Sequence, residues 1–441
     1  MSHRTNRRQF LASTGLAGAG LWLGVSAKAA TGPNDKIHIG VIGAGGRGGD
    51  DTRGVMEDRG VEIVALCDIN QQNLEQAARR VAAAGNQPRD VRRYSDWRKM
   101  LEQKDIDAVI VATPDHHHAL ASVAAMRRGK HVYCEKPLAH SVHEARTVRE
   151  TYNKAKVATQ MGTQIHATDN YRRVVELIQS GVIGAVKEVH VWCNRVGYPP
   201  GTARPADAPP APKHIHWDTW LGPAPQRPYH PSYFGGCMAW EQWWDFGNGC
   251  LGDMGSHLID LPFWALKLRE PTSVEASGAY RSAETYPQWL IARWEHPATP
   301  ERPGLTLTWY DGGKYPPSPP GIDLTQWGIG VLFVGEKGQL AADYGRKVLL
   351  PAERFKDFQP PKPTIPPSLG HYQEWLLGCR TGAPTLCNFD YSGMLVEHNL
   401  LGAVALRVGK KLTWDAAAMK AVGCPEADPY IRRQYRQGWT I

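Results

Sequence analysis

Short apolar runs alternate with amphipathic stretches over the first third of the chain. The runs predict buried strands at 37–42, 61–66, 106–112 and 131–134, and the stretches predict helices at 74–84, 117–128 and 144–154. Regular alternation of strand and helix is typical of a parallel, doubly wound sheet. The sequence therefore predicts an α/β domain over residues 35–160.

The pattern changes beyond residue 160. Helices are predicted at 171–180, 371–380 and 391–407, and strands at 186–194, 272–280, 288–295, 304–310 and 329–334. Because successive strands here are joined mainly by loops, we expect a mainly antiparallel sheet in a second, α+β domain over residues 161–441. Its last helices are expected to pack back on the first domain. Pro-rich stretches at 198–213 and 356–368 are predicted to be loops.

A glycine-rich turn follows the first predicted strand, with the sequence Gly43-Ala44-Gly45-Gly46-Arg47-Gly48. Glycines at this spacing allow a tight turn and close approach of the backbone to a pyrophosphate, and the helix that follows supplies N–H donors. Asp68 ends the second strand twenty residues after Gly48. Its carboxylate would accept hydrogen bonds from the adenosine ribose and would repel a 2′-phosphate. The pattern predicts an NAD site, and Arg47, which could bind a phosphate, keeps NADP open.

Cys134-Glu135-Lys136-Pro137 closes the fourth predicted strand and begins 91 residues after Gly43. The end of this strand would place a carboxylate, an amine and a conformationally fixed proline beside the nucleotide site. The Lys136 amine could hydrogen-bond a substrate hydroxyl or help to move its proton. This arrangement favours an oxidoreductase.

A second polar constellation lies in the segment 249–260. If this segment is helical, Asp253, His257 and Asp260 share one face. A carboxylate one turn before a histidine can orient the ring and raise its basicity, as a general base that removes a hydroxyl proton requires. A purely structural Asp–His pair that caps packed helices is the alternative.

Three consecutive histidines, His116-His117-His118, follow Thr113-Pro114-Asp115. Their side chains cannot all converge on one ion without an irregular backbone, so we expect a role near the cofactor and no metal. His214 and His216 are treated as a loop feature that could contact substrate. The eight cysteines contain no C-x-x-C pair, and their pattern forces no disulfide.

The N-terminus has the pattern of an export signal. Arg7-Arg8 begins a twin-arginine pattern, a mild apolar stretch follows from Leu11 to Val25, and Ala27-Lys28-Ala29 fits a cleavage site. Residues 1–29 are therefore predicted to be a signal peptide of a periplasmic protein, with no membrane span after cleavage. The formal charge is +8, but these 29 residues contribute four basic groups and no acid. The remaining balance does not indicate a nucleic-acid partner.

Taken together, these motifs resemble the glucose–fructose oxidoreductase / inositol dehydrogenase (Gfo/Idh/MocA) family. The resemblance rests on Gly43 to Gly48, Asp68, Ala112-Thr113-Pro114 with His118, Glu135-Lys136-Pro137, and Gly249 to Asp260. It implies a Rossmann domain followed by an open-faced sheet domain, with NAD(P) and a sugar or polyol between them. An open sheet face also leads us to expect a homodimer or homotetramer.

The resemblance also assigns roles by position. Lys136 would lie beside the nicotinamide and the reacting hydroxyl, with Pro137 after a cis peptide. His257 would be the acid/base, and Asp253 its partner or a substrate ligand. The nicotinamide ribose would be lined by Thr113, Pro114, His118 and Glu135.

Three functions are compatible with these features. The first is a dehydrogenase acting on a secondary hydroxyl of a sugar, glycoside or cyclitol. The second is a glycoside hydrolase in which transient oxidation by NAD permits elimination, with no net redox change. The third, a non-catalytic binding protein, is disfavoured by the intact Lys136, Asp253 and His257. The Pro-rich stretch at 198–213 and the Trp-rich stretch at 240–244 are not general family features, so no particular sugar is predicted.

Overall fold

A computed structural model describes residues 36–195, 203–280 and 282–441. The predicted signal peptide, residues 1–29, and residues 198–202 of the first Pro-rich stretch lie outside the described residues. The rest of that stretch, 203–213, has no helix or strand, as predicted.

Six parallel strands form the first sheet, in the order β3-β2-β1-β4-β5-β6. Their bounds are β1 Ile37–Ile42, β2 Val61–Cys67, β3 Arg92–Tyr94, β4 Ala108–Val111, β5 His131–Cys134 and β6 Thr159–Met161. The helices of this half are Gly46–Met56, Gln71–Ala83, Trp97–Met100, Asp115–Met126 and Val142–Ala155. The predicted doubly wound sheet is confirmed. Strand order reverses between β1 and β4, which opens a crevice at the carboxyl ends of these strands.

Nine strands form the second sheet, in the order β13-β12-β11-β7-β10-β9-β8-β14-β15. Their bounds are β7 Val186–Cys193, β8 Ser273–Gly278, β9 Leu290–His296, β10 Leu305–Asp311, β11 Ile329–Gly335, β12 Gly338–Ala342, β13 Lys347–Leu350, β14 Leu412–Asp415 and β15 Lys420–Ala421. Every neighbouring pair is antiparallel except β7 with β10. The predicted mainly antiparallel sheet is therefore confirmed.

Helices cover one face of the second sheet and surround its ends. Their bounds are Asp169–Gln179, Trp217–Leu221, Cys237–Trp240, Gly249–Asp253, Gly255–Leu258, Asp260–Ala265, Ala352–Phe355, His371–Thr381, Phe389–Val408 and Asp428–Ile431. On the outer face, Trp192 and Leu332 pack with Trp327 from a covering loop, whereas Glu275 and Arg293 are exposed. The outer face is thus only partly covered, which agrees with the expected open face.

The helix His371–Thr381 packs on the first domain. Trp375 and Leu376 are completely buried in one cluster with strands β1, β2 and β4. The ring of Tyr372 lies against Gly54, where an added Cβ would come within 2.3 Å of it. Its hydroxyl donates to Asp51 Oδ1 at 2.8 Å. The C-terminal part of the chain is therefore part of the packing of the nucleotide half.

No helix in the described ranges is both long enough and apolar enough to cross a membrane.

Candidate active site

The glycine turn is built so that backbone, not side chains, lines the crevice. Gly43 has a φ of 84°, and a Cβ added at Gly48 would lie 1.8 Å from the carbonyl oxygen of Gly43. The helix that follows begins at Gly46 and ends at Met56. A side chain at Gly48 would therefore push the turn apart, and the free N–H groups at the helix start are available to a phosphate.

Asp68 lies next to this turn, at the end of β2. Its Oδ2 accepts a hydrogen bond from the backbone N–H of Gly45 at 3.0 Å, and its Oδ1 accepts one from Asn70 at 2.8 Å. Burial raises the pKa of Asp68, while these backbone donors oppose that shift. The carboxylate is thus fixed at the end of the crevice where the sequence motif predicts the adenosine ribose.

A cavity of about 530 Å³ runs from Asp68 along the glycine turn to Thr113 and Pro114. Its opposite wall comes from the second half of the chain and contains Thr219, Trp220, Phe234, Gly235, Gly236 and Trp240. The backbone of His214 and His216 bonds to Gln71 and Ile69, so that loop lies beside the Asp68 end of the cavity. The glycine turn, the acid and the enclosed volume together fit a dinucleotide.

Of the three consecutive histidines, His117 lines the cavity, and His116 and His118 lie behind it. Both ring nitrogens of His116 face backbone carbonyl oxygens, as do those of His118. His117 faces the carbonyl of Trp220 and accepts from Trp97 Nε1. All six ring nitrogens therefore have a protein partner. The His118 ring links the carbonyls of Thr113 and Pro137, at 2.6 and 2.7 Å, so it positions two cavity loops and is itself buried.

Glu135 is the centre of a buried network. Its Oε1 accepts from Arg47 Nε at 3.1 Å, from Gln164 Nε2 at 2.9 Å and from the Tyr133 hydroxyl at 3.3 Å. Arg47 also lies 3.3 Å from Asp51. The guanidinium of Arg47 is therefore committed to two carboxylates, and its predicted freedom to bind a phosphate is not what the structure shows.

Lys136 joins the two domains through an ion pair. Its Nζ donates to Asp253 Oδ1, and Arg195 donates to the other oxygen of the same carboxylate. Arg195 also lies 3.1 Å from Glu241. The two cations lower the pKa of Asp253 despite its burial, and Asp253 raises that of Lys136. The peptide bond between Lys136 and Pro137 is cis, as the family resemblance implies.

His257 has a different partner from the one predicted. Its Nδ1 lies 3.0 Å from Thr163 Oγ1, and the Thr163 hydroxyl lies 3.2 Å from the carbonyl of Ser256. A hydroxyl has one proton. If that proton goes to the carbonyl, Thr163 accepts from Nδ1–H, which leaves Nε2 of His257 unprotonated. Burial and the charge of Lys136 lower the pKa of His257 to about 3.

The prediction that Asp253 orients the His257 ring is therefore wrong, because Asp253 accepts hydrogen bonds from Lys136 and Arg195. Its charge does raise the pKa of His257, as predicted, but burial and the charge of Lys136 outweigh it, and the pKa falls. The segment is also not one helix, since short helices end at Asp253 and Leu258.

Asp260 belongs to a separate buried group. It accepts from the Tyr391 hydroxyl at 2.7 Å and lies 2.9 Å from His166 Nδ1. With Cys387, these two residues form the one group of His, Cys, Asp or Glu in the described part of the chain that has metal-ligand spacing. Asp253, His257 and Asp260 therefore do not form one group as predicted, because Asp260 lies in a different cluster from Asp253 and His257.

Four site residues escaped the sequence analysis: Arg195, Glu241, Thr163 and Tyr344. The first three make the contacts described above, and the pKa of Tyr344 is raised by its burial and, to a smaller extent, by the charges of Cys193 and Asp253. Arg195 had one usable signal, because it is a charged residue directly beyond the end of strand β7. The others follow only from the folded arrangement.

Comparison with known proteins identifies the family. A family described as "Oxidoreductase family, NAD-binding Rossmann fold" matches residues 37–163, and its "C-terminal alpha/beta domain" matches residues 168–293. Inositol 2-dehydrogenase of Salmonella paratyphi B is 33% identical over 156 residues, which is 35% of this chain and 45% of that protein. A glycosyl hydrolase family 109 protein of Shewanella pealeana is 29% identical over 202 residues, covering 41% and 44%. The chain thus matches less than half the length of these curated relatives.

Solved structures show the same fold at low identity. The WlbA dehydrogenase of Bordetella pertussis, in complex with NADH and UDP-GlcNAcA, is 19% identical with a TM-score of 0.59, over 86% of this chain and 99% of that one. A levoglucosan dehydrogenase in complex with NADH and levoglucosan is 16% identical with a TM-score of 0.57, with the same coverage. The family matches over residues 37–163 and 168–293 show that the chain belongs to the Gfo/Idh/MocA oxidoreductase family and carries its NAD-binding Rossmann domain.

Proposed function

We propose that the protein is an NAD-dependent dehydrogenase that oxidises a secondary hydroxyl of a sugar, glycoside or cyclitol. One observation carries this proposal. Beyond the nucleotide cavity, the cationic Lys136 is ion-paired with Asp253, and the neutral His257 lies near enough to both for their charges to act on its pKa, so that a hydrogen-bond donor and a proton acceptor occur together. That combination is what removal of a hydroxyl proton requires.

Lys136 supplies the donor. Its pKa is raised by Asp253, by Glu135 and by Asp115, so the amine stays protonated at neutral pH although burial opposes this. Asp115 directly follows Pro114, which lines the nucleotide cavity. A protonated amine in this position binds the oxygen of the substrate and stabilises the negative charge that develops when the hydroxyl proton leaves.

His257 supplies the acceptor. Its pKa of about 3 keeps the ring neutral, and the contact of Nδ1 with Thr163 favours a free lone pair on Nε2. Asp253 holds Lys136 while its own pKa is lowered, so it stays ionised. In this proposal Lys136 orients the substrate oxygen and His257 takes the proton.

NAD supplies a hydride acceptor for the carbon being oxidised. Gly43, Gly45 and Gly48 give the close backbone approach that its pyrophosphate needs. Asp68 favours NAD over NADP, since a 2′-phosphate would approach a carboxylate, and Arg47 is held by Glu135 and Asp51.

The test is a screen of sugars, glycosides and cyclitols with purified protein and NAD. Production of NADH with at least one of them is expected, and its loss in His257→Ala should accompany retained NADH binding. A wild-type protein that binds NADH but oxidises no member of a broad panel would contradict the proposal.

A second function is favoured by a specific observation. Glycosyl hydrolase family 109 proteins match this chain at 29–33% identity, about as well as the inositol dehydrogenases do. In such a reaction the same residues would act, but oxidation would be transient and a glycosidic bond would be eliminated. Following NADH and released aglycone in the same assay distinguishes the two functions, because only the dehydrogenase accumulates NADH.

We also propose that the protein is exported in folded form with its nucleotide bound, and that it is a homodimer or homotetramer in the periplasm. The twin-arginine pattern at Arg7-Arg8 supports export.

The wall formed by Trp220, Phe234 and Trp240 supports a tightly held nucleotide. Protein purified from the periplasm of an expressing host should release NAD on denaturation. A periplasmic preparation without nucleotide would contradict the preloaded state, and light scattering measures the number of subunits.

A further inference from the structure

A second and larger cavity, of about 840 Å³, lies on the other side of the Trp-rich stretch. It is enclosed by the start of helix Val142–Ala155, by helix Phe389–Val408 and by the C-terminal residues 418–420 and 428–434. It shares no lining residue with the nucleotide cavity. Its size is that of pockets that hold metabolite-sized ligands.

Arg407 is the central polar group of this cavity. Its guanidinium carbon lies 5.0 Å from the ring centre of Trp244 and 4.2 Å from that of Tyr430. Within the described residues, the contacts found for its guanidinium are these two rings, with no hydrogen bond or ion pair to a carboxylate. A guanidinium has five N–H donors, and two aromatic faces satisfy none of them. The donors of Arg407 therefore remain available along the cavity edge of the stack.

The charges around Arg407 point to an anion. Lys420 and Arg432 line the same cavity and are exposed at its rim. Two carboxylates also line it, but Asp245 is already paired with the buried Arg227, which leaves Asp428. Burial lowers the pKa of Arg407, and the charges of Tyr430 and Asp245 oppose this only in part.

We propose that this cavity binds a small organic anion that carries carboxylate or phosphate groups, with Arg407 as its anchor. The rings of Trp244 and Tyr430 both contact the guanidinium, so it has little freedom to lose when a planar anionic group binds. Arg432 and Lys420 contribute long-range attraction at the entrance. This site is distinct from the proposed dehydrogenase site and does not depend on it.

The test uses citrate as the carboxylate probe and inorganic pyrophosphate as the phosphate probe, with glucose as a neutral control. Calorimetric titrations are done on full-length protein with saturating NADH, so that the glycine turn is not the binding site. We expect at least one anion to bind, with affinity lowered about 10- to 100-fold in Arg407→Met. The control variant Arg293→Met, on the exposed sheet face, should bind like wild type.

Three outcomes would overturn the proposal: no binding of either anion at millimolar concentration, equal binding by wild type and Arg407→Met, or equal loss in Arg293→Met. If Arg407→Met does not fold, Arg432→Met on the exposed rim replaces it, and a several-fold loss of affinity is then required. NADH binding, followed by its fluorescence, is measured in parallel. Loss of NADH binding alone contradicts the proposed function, not the anion site.

Discussion

The nucleotide turn and the catalytic cluster are built in opposite ways. The turn takes its shape from neighbours in sequence, with backbone from Gly43 to Gly48 and one acid at the end of the next strand. The cluster takes its shape from charges that are far apart in sequence, since Lys136, Arg195 and Asp253 come from three separate segments. The first site leaves no room for a Cβ at Gly43 or Gly48, whereas the second depends on its charged side chains being retained.

Substitutions in the two regions should therefore have different effects. A change in the turn alters the position of the nucleotide, while a change in the cluster alters the charges that determine the protonation of Lys136 and His257. Substitutions in the turn should therefore act mainly on nucleotide affinity, and substitutions in the cluster mainly on turnover.

The largest effect is expected for Lys136→Met. Removing the amine deprives the substrate oxygen of its donor and leaves Asp253 with Arg195 as its cation. Under the proposed function, kcat/KM should fall about 10²- to 10⁴-fold, while NADH affinity stays near that of wild type. The matched control is Lys99→Met, an exposed lysine of the nucleotide half. If Lys136→Met weakened NADH binding as strongly as turnover, the separation of the two regions would fail.

Gly48→Ala should produce the reverse pattern. Its Cβ would lie 1.8 Å from the Gly43 carbonyl oxygen, so the turn must open and the phosphate site is lost. We expect NADH affinity to fall on the order of 100-fold, a loss of about 2.7 kcal/mol. The matched control is Gly85→Ala, because a Cβ there meets no atom within 4 Å. Normal NADH affinity in Gly48→Ala would mean that this turn does not hold the nucleotide.

A smaller effect is expected from Thr163→Val, which keeps the volume but removes the hydroxyl that faces His257 Nδ1. Without that acceptor the proton is free to move to Nε2, so kcat should fall about tenfold with little change in KM. Thr163→Ser restores the hydroxyl and should restore kcat. A merely structural role would give equal losses in both variants, and would leave the pH profile of kcat unchanged.

The smallest effect concerns stability in acid. The pKa of His117 at the nucleotide cavity and that of His398 in the sheet domain are both lowered to about 4 by burial. In the unfolded chain both histidines become protonated as the pH falls below about 6.5, whereas in the folded chain they stay neutral until about pH 4. The free energy of unfolding is therefore highest above about pH 6.5 and decreases as the pH falls towards 4.

Differential scanning calorimetry between pH 7.5 and 5.0 would measure this as a lowered Tm. His117→Asn and His398→Asn should each reduce the slope of Tm against pH. A slope that neither variant reduces would show that these two histidines do not bind protons differently in the folded and unfolded states.

The four central strands of the first sheet, β1, β2, β4 and β5, could be predicted from sequence, because they are buried and spaced by helices. The two edge strands, β3 Arg92–Tyr94 and β6 Thr159–Met161, were missed because each is only three residues long. In the second sheet, β12, β13, β14 and β15 were missed. They form the two pairs of short strands at the edges of the sheet, where the apolar signal is weak.

The site was predictable only where short spacing determines it. Gly43 to Gly48 with Asp68 is such a case, as is the segment from Glu135 to Pro137. The hydrogen-bond partner of His257 could not be predicted. The carboxylate of Asp253 is four residues away in sequence and the hydroxyl of Thr163 is 94 residues away, and only the folded structure shows that Thr163 is the partner. Arg195 and Glu241 are likewise set by packing between domains.

The packing of helix His371–Thr381 on the nucleotide half has a consequence for biosynthesis. Trp375 and Leu376 fill the same buried cluster as strands β1, β2 and β4, which are made more than 250 residues earlier. A nascent chain that has just completed its first sheet therefore still exposes the apolar surface that this helix covers. Such surface is a binding site for chaperones and a target for proteolysis until the last part of the chain leaves the ribosome.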